Sequence, residues 1–258
     1  MEQDELFHRS PAKGGTMGKE DIRLKSYLSD ARRYADLWNG GVFGGRQIVK
    51  AEELSEVSPV LDKADGKFVM ERLRDAVMKQ NLVGQRFVLL TVENQQYIDY
   101  SMPIRVMQQE ALAYDRQVKT KIKENGQTDK QYRQHKEDGA LEVFHNTGEH
   151  LYKFRKDDKI CPVVTLVAYW GEEEWDGPKS LHDMLDLGDG NTELDSEIKQ
   201  LIPELPLHFL DLSRIEHPEY FETELRPFLE LYRLRNNREE FENYMKFSEE
   251  SSRMDDES

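Results

Sequence analysis

The chain has 258 residues and a formal net charge of −15, from 51 acidic residues against 36 Lys and Arg, and its mean hydropathy is −0.81. No apolar run approaches the roughly 18 residues of a membrane span, and the N-terminal residues lack the apolar core of a secretory signal. The single cysteine, Cys161, excludes an internal disulfide framework and a multi-cysteine zinc site. These properties predict a cytoplasmic protein that is not a membrane protein.

The negative charge is concentrated in the C-terminal third of the chain. Residues 171–258 contain 25 acidic and 9 basic residues, a net charge of −16, so residues 1–170 have a net charge of only +1. An acidic surface repels a polyanion such as DNA, whereas a nearly neutral one does not. The N-terminal two thirds of the chain is therefore compatible with DNA binding, although the charge by itself does not demonstrate it.

The first half of the chain contains one clear helix and one clear strand. Residues 1–16 are polar and are interpreted as a disordered leader. Apolar residues then recur at helical spacing over residues 18–39, before a glycine-rich turn and a strand-like segment at residues 47–49. Residues 67–79 are compatible with either a helix or a strand. Residues 86–95 (RFVLLTVENQ) are typical of a strand.

The second half continues with a long amphipathic helix predicted over residues 103–124, because Pro103 suits a first helical turn and apolar residues follow at helical spacing. Residues 125–150 are polar and are interpreted as a flexible insertion. The elements predicted after it are a buried strand at 161–169 (CPVVTLVAY), a strand at 205–212, a helix at 218–235 and an acidic disordered tail at 248–258. Strands on both sides of a long helix predict an α/β domain with a mixed sheet.

Polar residues end the strand predicted over residues 86–95. Since side chains alternate across a strand, Glu93 and Gln95 share one face and Asn94 takes the other. The Asp75 carboxylate can lie beside Glu93 if residues 67–79 form the neighbouring strand. Two carboxylates suit Mg²⁺ or Mn²⁺, which lower the pKa of a bound water and stabilise a phosphoryl oxygen. An acidic residue at a strand end is also typical of a solvated terminus, and the spacing leaves both interpretations open.

Basic residues also lie on or near the helix that follows this strand. A phosphate backbone could pass along them, although a charged helix face is more often simply solvated. These residues are Arg105, Arg116, Lys119, Lys121 and Lys123.

Five segments of the chain carry a family resemblance. In order, they are MGKEDIRLKSYLSDARRYADLWN, GGRQIVKAEEL, RLRDAVMK, LLTVENQQYIDYSMPIRVMQQEALAYDRQV and PVVTLVAYWGEEEWDGPKSLHDML. Together they resemble the PD-(D/E)XK nuclease family transposases, which are relatives of the recombination-promoting nucleases and the YhgA-like transposases. The resemblance extends from residue 17 to residue 245 and is interrupted by the polar insertion at residues 125–150.

The resemblance implies one nuclease-like domain over residues 17–247. Its fold would be a restriction-endonuclease-like core, in which helices flank a mixed β-sheet, with a C-terminal helical extension. The implied activity is DNA cleavage that depends on Mg²⁺ or Mn²⁺, with a role in recombination or mobile elements. The implied partner is DNA, and the resemblance leaves open whether the chain acts as a homo-oligomer.

The resemblance also assigns site residues by position. The first acid of the family falls on Asp75, and its Glu-x-Gln motif falls on Glu93 and Gln95. Asp75 and Glu93 are then the metal ligands, while Gln95 positions the attacking water. The other implied site residues are Tyr114 and Gln117 on the following helix and Asp36 on the opening helix.

Two departures from the superfamily pattern leave an alternative function open. Asp75 follows Arg74 where the namesake motif has proline, and Gln95 stands where lysine is more usual. An amide neither accepts a proton as a general base nor carries positive charge. The alternative is a DNA- or protein-binding module on the same fold whose chemistry is weakened or lost.

Overall fold

A computed structural model describes residues 27–28, 30–56, 76–82, 86–134, 143–186, 192–234, 239–241 and 244. The helices and strands, in chain order, are α1 (Ala31–Gly41), β1 (Leu54–Glu56), β2 (Ala76–Leu82), β3 (Arg86–Gln95), α2 (Met102–Gln134), α3 (Thr147–Tyr152), β4 (Val163–Tyr169), α4 (Glu193–Leu201), β5 (His208–Asp211) and α5 (Leu225–Leu234). The leader at 1–16 and the tail at 248–258 lie outside the described residues.

The described strands form one mixed sheet in the order β1-β2-β3-β4-β5. The β1–β2 and β2–β3 pairs are antiparallel, whereas β3–β4 and β4–β5 are parallel. The fold is therefore α/β with a mixed sheet flanked by helices, as the sequence predicts, and it is consistent with a restriction-endonuclease-like core. Within the described residues, no helix combines the length and apolar character needed to cross a membrane.

The two faces of the sheet are covered by different helices. Leu166 and Ala168 of β4 belong to the larger apolar core, which α1 and α5 also line. Val167 and Tyr169 point to the opposite face, where a smaller core contains Met102 and other residues of α2. Strand β4 is thus covered on both sides, which explains its continuous β-branched and apolar sequence. This arrangement places the first turns of α2 over the carboxyl ends of β3 and β4.

Helix α2 is longer than the sequence predicts. It continues to Gln134, through the first part of the segment interpreted as a flexible insertion. The reason is a set of polar contacts that apolar periodicity does not reveal: Asn125 is buried and donates from Nδ2 to the Lys153 carbonyl at 2.9 Å and to Asp158 Oδ2 at 2.7 Å. Residues 135–142 of the predicted insertion lie outside the described residues.

The strand-like segment at residues 47–49 is not a strand in the structure. Its backbone bonds instead to the Asn39 side chain, which accepts from Val49 N at 2.8 Å and donates to the Val49 carbonyl at 2.8 Å. The edge of the sheet is formed a few residues later by β1. One side chain thus satisfies the backbone groups that a neighbouring strand would have bonded.

Candidate functional site

Glu93 is a buried acid at the carboxyl end of β3, with 4% of its surface exposed. It pairs with Val167 of β4, which belongs to the core on the α2 side, so Glu93 faces α2 as well. Gln95 lies on the same face, whereas Asn94 accepts a hydrogen bond from Trp170 Nε1 at 3.0 Å on the other. The predicted division of these three side chains between the two faces is confirmed.

Within the described part of the chain, the side chains of Gln95, Arg105 and Gln109 donate hydrogen bonds to the Glu93 carboxylate. Gln95 Nε2 donates to Oε1 at 3.1 Å, and Gln109 Nε2 donates to Oε2 at 3.2 Å. The Arg105 guanidinium forms an ion pair with Oε1. Arg105 and Gln109 are four residues apart on α2 and therefore lie on the same side of the helix. An ionised carboxylate is an acceptor only, so it matches three donors without needing a proton.

Arg105 also links Glu93 to a second carboxylate. Its Nη1 lies 3.3 Å from Asp99 Oδ2 in the connection between β3 and α2. Burial by itself raises the pKa of Asp99, but hydrogen bonds from Ser101 and the ion pair with Arg105 outweigh burial and leave that pKa below its ordinary value. We call Glu93, Gln95, Asp99, Arg105 and Gln109 the Glu93 cluster. With both acids ionised it carries one more negative than positive charge, so it attracts cations.

The oxygen atoms of the Glu93 cluster are of the kind that a divalent cation prefers. The cluster does not, however, provide a complete set of ligands. Carboxylate and amide oxygens are hard ligands, and Mg²⁺ typically binds one or two carboxylates while keeping several waters. Across the described ranges, no group of three or more His, Cys, Asp or Glu residues is arranged to hold a metal. A cation at Glu93 also competes with Arg105 for Oε1. Glu93 would supply one of these carboxylates.

Asp75, the second carboxylate that the sequence predicts, lies outside the described residues. In sequence it directly precedes Ala76, the first residue of β2. Ala76 pairs with Val92, which directly precedes Glu93. The assignment of Asp75 to the site therefore stays a prediction.

Tyr114 and Gln117 contact the start of β4, away from Glu93. The Tyr114 hydroxyl accepts from Val163 N at 3.1 Å, and Gln117 exchanges two hydrogen bonds with the backbone of Cys161. Val163 precedes the partner of Glu93 by four residues, about 13 Å along an extended strand. The structure thus gives both side chains the role of fastening α2 to β4, and their catalytic role stays a prediction.

Tyr114→Phe is expected to lower the free energy of unfolding by about 1–2 kcal/mol, because the backbone N–H of Val163 loses its acceptor. Urea unfolding measures this loss, and Tyr152→Phe on exposed α3 is the matched control. Binding of Mn²⁺ should be unchanged. Weaker Mn²⁺ binding with unaltered stability would instead place Tyr114 in the site.

Asp36 is buried on α1, and its carboxylate is bonded to the C-terminal part of the chain. It accepts from Glu222 N at 2.9 Å, from Thr223 N at 2.8 Å and from the Thr223 hydroxyl at 2.6 Å. These residues immediately precede α5, so Asp36 holds that helix against α1. Its implied role in catalysis stays a prediction.

Glu110 is a second, half-buried acid on the α2 face of the sheet. It follows Gln109 directly and accepts hydrogen bonds from Thr165 of β4. Burial raises its pKa above the ordinary value, and the Thr165 hydrogen bonds and nearby His208 only partly oppose this. The folded protein therefore holds a proton on Glu110 at a pH where the unfolded chain has lost it.

The Glu110 shift predicts a pH dependence of stability. As pH rises from the ordinary carboxyl pKa of 4.5 through the raised folded value, the unfolded chain binds fewer protons than the folded protein, so the free energy of unfolding falls. Glu110→Gln removes the titrating group and should lose less stability over this window than the wild type. Urea unfolding at a pH below and a pH above this window measures the difference. If the free energy of unfolding changed with pH equally in both proteins, the prediction would be contradicted.

Sequence reasoning missed two members of the Glu93 cluster, Asp99 and Gln109, and placed Arg105 only on a charged helix face. The available signal was the four-residue spacing of Arg105 and Gln109 directly after the Glu-x-Gln strand. Such spacing shows that two side chains share a helix face, but not that this face lies over Glu93.

Residues 142–255 match the family model described as putative transposase, YhgA-like. This span includes β4, β5 and α5, but not Glu93 or α2. No curated protein and no solved structure matches the chain. The match therefore covers two of the five described strands, β4 and β5, and none of the residues of the Glu93 cluster.

Proposed function

We propose that this chain, whose residues 142–255 match the YhgA-like family model, is a nuclease that hydrolyses DNA phosphodiesters with Mg²⁺ or Mn²⁺. The strongest support is the buried carboxylate of Glu93 among polar side chains at the end of β3. Burying a charge costs desolvation free energy that an ion pair often does not fully recover, and the neighbouring position on β4 holds an apolar valine. A charged residue kept at such a position is typical of a functional site.

In this proposal, Glu93 and Asp75 hold the cation. For Asp75 to share the site, the antiparallel pairing of β2 with β3 must continue one position beyond Ala76 and Val92. Directly opposed residues of antiparallel strands point to the same face. The cation, when bound, lowers the pKa of a water and stabilises charge on the phosphoryl oxygen.

Gln95 has a restricted role in the proposed reaction. Its amide nitrogen donates to Glu93, so its carbonyl oxygen is the atom that can accept a hydrogen bond from a water. An amide orients that water but does not remove its proton. Association with recombination or mobile elements is part of the same proposal, since the matched family is described as transposases.

Titration with Mn²⁺ tests the proposed ligands directly. We expect the wild type to bind Mn²⁺, and Glu93→Gln and Asp75→Asn each to weaken binding by more than about tenfold, because each removes a charged oxygen ligand. Glu124→Gln is the matched control, since Glu124 is an exposed acid of α2 that pairs with Lys121. Equal affinities in all four proteins would contradict the proposed site.

A binding module without catalysis is the second candidate, and one observation favours it. Both oxygens of Glu93 already accept hydrogen bonds from side chains, as a purely structural buried carboxylate would. If the chain is such a module, the wild type and Glu93→Gln should bind DNA or a partner protein with equal affinity. It would show no Mn²⁺ binding that depends on Glu93.

A further inference from the structure

The connection from β3 to α2, residues 96–101, presents an exposed aromatic ring beside the Glu93 cluster. We call it the Tyr97 loop. Tyr97 lies two residues after Gln95, and its side chain is 81% exposed. The residues around it are held in place: Ile98 packs against the smaller core, and Asp99 accepts two hydrogen bonds from Ser101. The loop thus holds the Tyr97 ring in solvent while its neighbours are anchored.

Arg105 lies four residues beyond this loop, on the first turns of α2. Its guanidinium has five N–H donors, and its bonds to Glu93 and Asp99 are made through Nη2 and Nη1. The side chain is 42% exposed, so part of it remains accessible from solvent. A guanidinium of this kind is suited to a phosphate oxygen.

An aromatic ring in the loop and a guanidinium on the first turns of the helix that follows it match the chemistry of a nucleic-acid strand. A base stacks on an aromatic ring through its π-face, while the adjacent phosphate binds a cationic side chain. Within a continuous duplex, both faces of each base are already covered by its neighbours. A base that stacks on Tyr97 must therefore be unpaired or lie at a strand end.

We propose that the Tyr97 loop binds a DNA strand through an unpaired base, which stacks on Tyr97 while Arg105 binds the neighbouring phosphate. The substrate class is single-stranded or locally opened DNA. Delivery of that strand to Glu93 depends on the proposed nuclease function, whereas the binding itself does not.

Acidic residues lie on the Tyr100 side of the loop. The hydrogen bond from Tyr100 to Asp176, together with the charges of Asp176 and Glu173, raises the pKa of Tyr100. Asp176 and Glu173 thus make the Tyr100 side of the loop unfavourable for phosphate. Because the Glu93 cluster has a net negative charge, a divalent cation should strengthen strand binding.

Fluorescence anisotropy with a labelled oligo-dT strand and a duplex of equal length tests the proposal. Ca²⁺ replaces Mg²⁺ in one series and EDTA is present in the other, so that binding is measured apart from cleavage. Tyr97→Ala should weaken oligo-dT binding by about five- to a hundredfold, the range expected from losing one stacked base. Tyr97→Phe keeps the ring and should bind as the wild type does.

Tyr152→Ala is the matched control, since Tyr152 is 69% exposed on α3. It should leave oligo-dT binding unchanged, and Tyr97→Ala should leave duplex binding nearly unchanged. Each of three results would overturn the proposal. Tyr97→Ala could bind oligo-dT with wild-type affinity, or it could lose the same affinity for the single strand and for the duplex. The wild type could also bind oligo-rU more tightly than oligo-dT.

The outcomes also separate this inference from the proposed nuclease function. Strand binding that depends on Tyr97, in a protein that cuts no DNA with Mg²⁺ or Mn²⁺, supports the stacking site and contradicts the nuclease. Cleavage that depends on Glu93 but not on Tyr97, with normal strand binding in Tyr97→Ala, supports the nuclease and contradicts the stacking site.

Discussion

Glu93→Gln is expected to lower the rate of cation-dependent DNA cleavage by at least about a hundredfold. Glutamine keeps the size of the side chain but removes the negative charge that holds a divalent cation. The cation is expected to contribute several kcal/mol to transition-state stabilisation, and each 1.4 kcal/mol corresponds to about a factor of ten in rate. Single-turnover cleavage of a labelled DNA, with protein in excess, measures the chemical step.

Two controls show whether the loss comes from the site. Glu124→Gln removes an exposed acid from the same helix and should cleave at the wild-type rate. Urea unfolding of Glu93→Gln shows whether the fold survives, since Arg105 keeps Asp99 as a partner after the substitution. A folded Glu93→Gln protein that cleaves as fast as the wild type would remove Glu93 from the reaction.

Asp36→Ala is expected to lower the free energy of unfolding by about 3–4 kcal/mol. The substitution removes three hydrogen bonds to a carboxylate. It leaves the part-buried backbone N–H groups of Glu222 and Thr223 without their acceptor. Asp36→Asn keeps one carbonyl oxygen as an acceptor and should lose less. Urea unfolding, followed by far-ultraviolet circular dichroism, measures both losses.

Asp30→Ala is the matched control for Asp36, because Asp30 accepts from two backbone N–H groups at the exposed start of α1. Loss of that N-cap should cost only about 1 kcal/mol. Binding of Mn²⁺ should be unaltered by Asp36→Asn. Unchanged stability together with lost cation binding or cleavage would make Asp36 a site residue instead of a structural one.

The sequence is sufficient to predict the centre of the sheet and the orientation of Glu93. Runs of β-branched and other apolar residues mark β3 and β4 in the sequence, and the structure has strands at both places. Alternation along β3 then fixes which side Glu93 and Gln95 share. These predictions succeed because they depend on neighbouring residues only.

The rest of the site depends on contacts between distant segments. Gln109 reaches Glu93 only because α2 crosses that end of β3, and no spacing in the sequence specifies that crossing. Likewise, the resemblance assigns Tyr114 to the site, but the register of α2 on β4 places its hydroxyl at Val163. The continuation of α2 beyond residue 124 depends on Asn125 meeting Asp158, which composition does not reveal.

Nicking of supercoiled plasmid at low salt, with Mg²⁺, Mn²⁺, Ca²⁺ or EDTA, tests most directly whether Glu93 belongs to a nuclease. We predict that the wild type nicks plasmid with Mg²⁺ or Mn²⁺ but not with EDTA, and that Glu93→Gln does not nick it under any of these conditions. Equal nicking by both proteins, or no nicking by a wild type that binds both Mn²⁺ and DNA, would contradict the nuclease assignment.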